Sequence, residues 1–214
     1  MRLSTVCVAT PQTYDYDGRK VSSSIFKQPV TGPIAVGELG LAGNRQANLN
    51  VHGGTHKAVY AYSADRYAGW SEKLTRDDLE HGMFGENLTI AGLDEAQVLL
   101  GDQWDIGDAR FEVTGPRIPC ANLAMRFDNK TMPRQFTESG CPGVYLRVLR
   151  AGAVQAGDVV TTVTHGSGPA IKDLFQAYSR PSGTEALNTL QAALNCDAID
   201  PEFADGVAKR VRNR

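Results

Sequence analysis

At 214 residues, 42% hydrophobic and 21% charged, the chain is long enough to bury a core without covalent staples, and its composition excludes disorder. A net charge of -2 argues against a nucleic-acid binder, which carries a basic excess, and no apolar run reaches the length of a membrane-spanning helix. The start, MRLSTVCVATPQTY, is too polar for a secretory signal, so the expected compartment is the cytoplasm, where the four dispersed cysteines stay reduced; no C-x-x-C pair marks a zinc or thioredoxin-type site.

Short apolar or alternating segments between Gly and Pro punctuation predict strands at Leu3–Ala9, Ile34–Val36, Ala58–Tyr62, Leu88–Ile90, Gln103–Ile106, Ala109–Thr114, Val144–Leu149 and Val159–Val163. Many short strands with turn signals point to a mainly β protein, a barrel or a sandwich. Helices interrupt them: one capped by Ser63 and carrying Tyr67, Trp70 and Leu74, another after Cys120 through Leu123, Ala124 and Phe127. THGSGP (Thr164–Pro169) reads as a linker. Beyond it the pattern is helical, with Ile171–Tyr178, a helix capped by Thr184, and a third opened by Asp200-Pro201 whose basic end complements its dipole. The expected division is a β unit at 1–164 and three short helices at 165–214, which must dock on the β unit or pair two copies as a homodimer.

Three stretches carry chemistry. In VHGGTHKAVYAYS, His52 and His56 have the spacing of a zinc helix, but Gly53 and Gly54 lie between them and the glutamate of H-E-x-x-H is missing. The glycines suit either a backbone that approaches an anion, with His52 and Lys57 adding donors, or a tight bend entering a strand. In HGMFGENLTIAG, Gly85-Glu86-Asn87 is a turn; Asn87 is either structural or a hydrogen-bonding partner for a polar heterocycle, and Glu86 a partner for Arg117 or Arg45. In VTGPRIPCANLAMRFD, Cys120 follows a proline, opens a helix and lies three residues from Arg117, a setting that favours thiolate and hence a soft metal. Cys141, in a loop before Pro142, is a weaker candidate, and Cys7 and Cys196 read as packing. Ser24-Ile-Phe-Lys27 matches S-x-x-K without its companion motifs, and neither a G-x-G-x-x-G nor a P-loop is present.

Together the stretches FKQPV, GLAGNRQANLNVHGGTHKAVYAYSADRYAGW, GMFGENLTIAGLDEAQVLLGD, EVTGPRIPCANL and GVYLRVLRAGAVQAGD resemble the MOSC domain, named for the C-terminal part of molybdenum cofactor sulfurases, and within it the stand-alone YiiM-like branch. The resemblance implies a β-barrel of the pyruvate-kinase insert-domain type with interspersed helices, followed by a small three-helix C-terminal domain. It also implies a molybdopterin-type molybdenum cofactor with Cys120 as metal ligand, and an association with resistance to N-hydroxylated bases such as 6-hydroxylaminopurine, thought to be reduced to the amino form. The chain departs from the pattern at Asn44, Asn48 and His56, where the branch usually carries aspartates.

On that resemblance the expected activity is two-electron reduction of an N-hydroxylated base: R–NH–OH, two electrons and two protons give R–NH2 and water. Cys120 anchors the metal. Lys27, Arg45, Lys57, Arg117 and the Gly53-Gly54 backbone neutralise the cofactor, and His52 and Asn87 orient its pterin. No flavin, haem or iron–sulfur signature is visible, so an external reductase supplies the electrons. Two alternatives stay open: a non-catalytic carrier of the cofactor or of sulfur, and a hydrolase with Cys120 as nucleophile and His52 or His165 as base.

Overall fold

A computed structural model of the chain describes residues 1–47 and 53–213. Strands β1 (Arg2–Val8), β2 (Gln12–Tyr16), β3 (Arg19–Ser23), β4 (Gln28–Val30), β5 (Ile34–Gly37) and β6 (Gly40–Leu41) come first. They are followed by β7 (Val59–Ser63), helix α1 (Tyr67–Leu74), β8 (Leu88–Ala91), β9 (Gln103–Ile106) and β10 (Ala109–Pro116). Helices α2 (Ala121–Phe127) and α3 (Met132–Ser139) lead to β11 (Val144–Arg150), β12 (Gly152–Val154) and β13 (Val160–Thr164), and α4 (Ile171–Ser179), α5 (Gly183–Leu194) and α6 (Pro201–Arg212) end the chain.

Among the described residues eight strands form one mixed sheet in the order β13-β9-β10-β11-β7-β8-β1-β4, in which β7 and β8 pair in parallel and the other neighbours antiparallel. Near one edge, Leu3 N donates to Asp158 O (2.9 Å) and Val160 N to Met1 O (3.0 Å), curling β13 back toward β1. That meeting is an isolated bridge, Arg2 with Val159, rather than a ladder. Among the described residues the fold is therefore a curled eight-stranded sheet with a smaller sheet β12-β5-β6, the hairpin β2–β3 and six α-helices, where a closed barrel was expected.

All eight predicted strands are present, with ends shifted by at most two residues. The sequence reading passed over the hairpin β2–β3, although its turn carries a clear signal. Asp17 and Gly18 both have positive φ (52° and 73°), the conformation of a two-residue hairpin turn that Asp-Gly favours. It also passed over α3, in which Pro133 sits in the first turn and Met132 and Phe136 are buried. The α5 helix starts at Gly183, with Ser182 rather than Thr184 in the extended N-cap position. Asp200 caps α6 as expected, its carboxylate accepting from Phe203 N at 2.8 Å.

The C-terminal helices dock on the sheet. Ile171, Leu174, Leu190 and Val207 share one hydrophobic cluster with Leu100, Trp104, Phe111 and Val113. A second, aromatic cluster joins Tyr60 and Tyr62 of β7 to Trp70, Phe84, Phe127 and Phe136, and so packs α1, α2 and α3 against the sheet.

Beside that cluster lies Glu86, a fully buried carboxylate. It accepts from Gly82 N (2.8 Å), Phe84 N (3.1 Å) and Thr89 Oγ1 (2.9 Å), and from the Tyr67 hydroxyl. Its role is thus to fold the 82–86 turn; it bonds neither Arg117 nor Arg45. Glu86→Ala leaves several buried donors without an acceptor, each costing about 1–3 kcal/mol. The variant is expected to lose at least about 3 kcal/mol, read as a lower urea midpoint at unchanged slope.

Candidate functional site

The site is built where β10 ends. The pairing of β10 with β11 slips between Val113 and Gly115, and such an irregularity re-aims the chain. Pro116 is the last strand residue, and the segment Arg117–Cys120 runs from there to α2. Cys120 itself is extended (φ -128°, ψ 177°) and half-buried, and its side chain makes no capping bond.

Arg117 points inward. Its residue is 5% exposed, and its guanidinium lies 5.1 Å from the centre of the Tyr60 ring and 5.3 Å from that of Phe136. Aromatic faces stabilise a cation in part. The guanidinium has the Tyr60 and Tyr145 hydroxyls as hydrogen-bonding neighbours, but its buried Nη1 has no hydrogen-bond partner among the described residues. A buried guanidinium nitrogen left unsatisfied is costly unless a ligand supplies an acceptor.

Nη1 belongs to a residue on the wall of a cavity of about 110 Å³, which Cys120, Lys27, Lys57, Gly53 and Asn87 also line. Six of the nine residues singled out from the sequence therefore converge. Gly54 lies next to this group in the bend, at φ 78°, with open space where a side chain would be. The bend and the ligand-facing backbone are thus compatible readings of the glycine pair, since Gly53 lines the cavity while the two glycines turn the chain into β7. Arg45 is exposed and is not on the cavity wall; its N–H is used on Ala9 O (2.8 Å). His52 and Asn48 lie outside the described residues.

Lys27 is buried, and its Nζ donates to Asn44 Oδ1 at 2.6 Å. The partner is a neutral amide at a position where the resemblance implies an aspartate, so the bond leaves the lysine charge uncompensated. Burial lowers the Lys27 pKa to about 8 from the ordinary 10.5, with Glu86 and Cys7 opposing and Arg117 adding to the shift. The unfolded chain keeps this proton up to about 10.5 and the folded chain releases it near 8, so Lys27 makes stability rise with pH across that window. Lys27→Met is expected to remove this component: the gain in urea midpoint between pH 7.5 and pH 10 should be smaller than in the parent, and the variant should be the more stable of the two at pH 7.5.

Asn87 ties three strands together at the cavity floor, with Oδ1 accepting from Tyr60 N (3.2 Å) and Nδ2 donating to Cys7 O (3.1 Å). A side-chain amide has a second N–H, which leaves one for a ligand. Lys57 is engaged from the far end of the chain. Its Nζ lies 2.5 Å from Glu202 and 3.3 Å from Asp200, at the start of α6. Burial works against its charge, but the Glu202 hydrogen bond and Asp200 outweigh it and hold the ammonium above the ordinary lysine range.

His56 turns to other work: its Nε2 lies 3.2 Å from Arg147 Nη1, and its carbonyl accepts from Thr114 Oγ1. None of the four cysteines forms a disulfide. Cys7 is buried, and its thiol is pushed up to about 12, chiefly by burial, while Cys141 is half-buried and away from the cavity wall. His165 does not line this cavity; its side chain is 77% exposed and sits 3.6 Å from Asp102. As the base of a hydrolase it is misplaced.

Sequence reasoning missed the serines. Ser22 and Ser23 end the unpredicted hairpin, Ser24 follows it, and all three line the cavity; Ser24 Oγ is a second buried polar atom on this wall without a partner among the described residues. Ser24 and Lys27, set aside as an accidental match, share this wall. The available signals were the Asp17-Gly18 turn and the serine triplet itself.

Residues 48–161 match the family model of the MOSC domain. The chain belongs to the MOSC domain family. Within it, the chain is 40% identical over 156 residues to YflK of Bacillus subtilis, covering 73% of this chain and 70% of that one. It is 34% identical over 147 residues to a protein of Gibberella moniliformis named "Reductase", covering 67% of this MOSC protein and 26% of that relative. The crystal structure of YiiM from Geobacillus stearothermophilus superposes with a TM-score of 0.82 at 29% identity, covering 98% of both chains. The MOSC protein is thus YiiM-like in fold along nearly its whole length.

Proposed function

We propose that this MOSC protein holds a molybdopterin-type molybdenum cofactor in the cavity beside Cys120 and reduces N-hydroxylated bases or related N-oxygenated compounds with electrons from a partner reductase. One observation carries the reading: a buried arginine, one of whose nitrogens has no partner among the described residues, and a half-buried cysteine share the wall of one cavity in a MOSC chain. The residues present fit such a group. Arg117 and Lys27 supply charge for a phosphate and a dithiolene, Ser24 and Asn87 supply hydrogen bonds, and Gly53 lets the backbone come close. Among the described residues no group of three His, Cys, Asp or Glu side chains converges on a metal position. A metal ligated by Cys120 thus needs most of its other ligands from the molecule that carries it, and a dithiolene provides them. The name of the Gibberella relative supports reduction as the reaction class.

When bound, the cofactor supplies the two-electron chemistry that breaks the N–O bond; two protons enter, and the oxygen leaves as water. The protein's part is to bind and orient. Cys120, at the start of α2, would hold the metal, Arg117 would fix the anion by its planar fork, and Lys27 would add a second positive charge. On this reading the curled sheet, residues 1–164, forms the cofactor unit, and residues 165–214 cover its open side in a cytoplasmic protein.

The test uses protein made in a host that synthesises the cofactor. Near-stoichiometric molybdenum, together with oxidation of a reduced viologen when 6-hydroxylaminopurine is added, is the expected result. Molybdenum without turnover of any N-hydroxylated compound would leave the carrier reading in its place.

A further inference from the structure

A second cavity, of about 250 Å³, adjoins the first, and Cys120, Lys57 and Tyr145 belong to the walls of both. Its other side is made by the C-terminal helices, whose individual side chains have no part in holding the cofactor on the reading above. Tyr178 of α4 and Phe203 of α6 line it, with ring centres 4.7 Å apart at an interplanar angle of 47°. Tyr178 is held from behind: Arg210 lies 3.5 Å over its ring, and the Arg210 Nε donates to the Tyr178 carbonyl at 2.7 Å. Asp200 and Glu202 also face this space. Asp200 is fixed by Phe203 N, and both carboxylates are oriented by Lys57. A carboxylate oriented by one donor keeps lone pairs for others.

We infer that this second cavity is the substrate subsite, and that it takes a flat, neutral or cationic ring bearing N–H or amino groups. The inference rests on the reductase reading for the word substrate, though the binding it predicts does not. Aromatic side chains suit a ring, and the carboxylates of Asp200 and Glu202 accept from its N–H groups. The same carboxylates repel an acid, which is how a site refuses a wrong ligand. Because Cys120 stands where the two cavities meet, a ring held by Tyr178, Phe203 and Glu202 presents its reacting substituent toward the metal position. Specificity then belongs to α4 and α6, and cofactor retention to the sheet.

The experiment is a titration of 2-aminopurine, a fluorescent flat ring with an amino donor that is quenched on stacking, into the full chain without cofactor. Saturable quenching is expected, with no competition from 2-naphthoate, a flat acid. Glu202→Gln, at a position whose side chain is 57% exposed and hence safe for folding, is expected to weaken binding about tenfold by removing a charged acceptor. Tyr178→Leu should weaken it several-fold. Neither residue lines the first cavity, so binding that is unchanged in both variants places the ring elsewhere and overturns the inference, as does a parent that fails to bind. If Tyr178→Leu does not fold, Glu202→Gln decides alone. Molybdenum content and viologen oxidation are measured separately: a parent that binds the ring but turns nothing over sinks the reductase reading and leaves the subsite, and the converse result does the opposite.

Discussion

Replacing Cys120 by alanine is expected to remove molybdenum from protein made in a cofactor-competent host while changing stability by less than about 1 kcal/mol. The side chain is half-buried, gives α2 no capping bond and belongs to no disulfide, and alanine removes only its sulfur atom. The metal position does, because a soft thiolate is the ligand that the protein itself contributes in the proposed reading. Elemental analysis beside a thermal melt separates the two roles. Cys141→Ala is the control: its half-buried thiol sits in the loop after α3, off the cavity wall, and burial raises its pKa. Full molybdenum in Cys120→Ala, or its loss in Cys141→Ala, would move the ligand to another residue.

Arg117→Met is expected to have the opposite signature to an ordinary buried-arginine mutation. A residue kept for structure destabilises the protein when removed. Here the buried Nη1 has no partner among the described residues, and methionine keeps apolar bulk between Tyr60 and Phe136, so the unfolding midpoint should hold or rise. Affinity for the anionic cofactor should fall about tenfold to a hundredfold, the worth of one charge-assisted hydrogen bond of roughly 1.5–3 kcal/mol. Arg117→Lys should rescue little, because an ammonium keeps the charge but loses the planar fork and the ring contacts. Competitive loading of parent and variant, followed by metal analysis, reads the ratio. A fall in midpoint with unchanged loading would make Arg117 a packing residue.

How much of this was legible depended on distance along the chain. The strands were readable because alternation with Gly and Pro punctuation is local; β10 and α2 frame Cys120 where Gly115, Pro116 and Pro119 said an element changes. The hairpin β2–β3 was missed because its strands are mostly polar and exposed, so only the Asp17-Gly18 turn marked it. Missing the hairpin meant missing the serines it delivers. Glu86 could be offered as a partner for arginine because a carboxylate beside Asn87 says nothing about which donors will surround it; three groups of the folded turn and the strand after it, joined by Tyr67, settle the matter.

By itself the sequence determined the composition of the site: a cysteine after a proline at the start of a helix, an arginine three residues before it, a glycine pair followed by a lysine, all on a strand-rich chain of low net charge. These are consequences of covalent order and local backbone preference, which neighbours in sequence are enough to specify. Only the tertiary structure decided that Arg117 Nη1 is buried without a partner among the described residues, that Lys27 Nζ donates to the neutral amide of Asn44, and that Lys57 is held by Glu202, 145 residues away. Burial, charge pairing and the shape of a cavity are sums over groups that the chain brings together only by folding, so no window of sequence contains them.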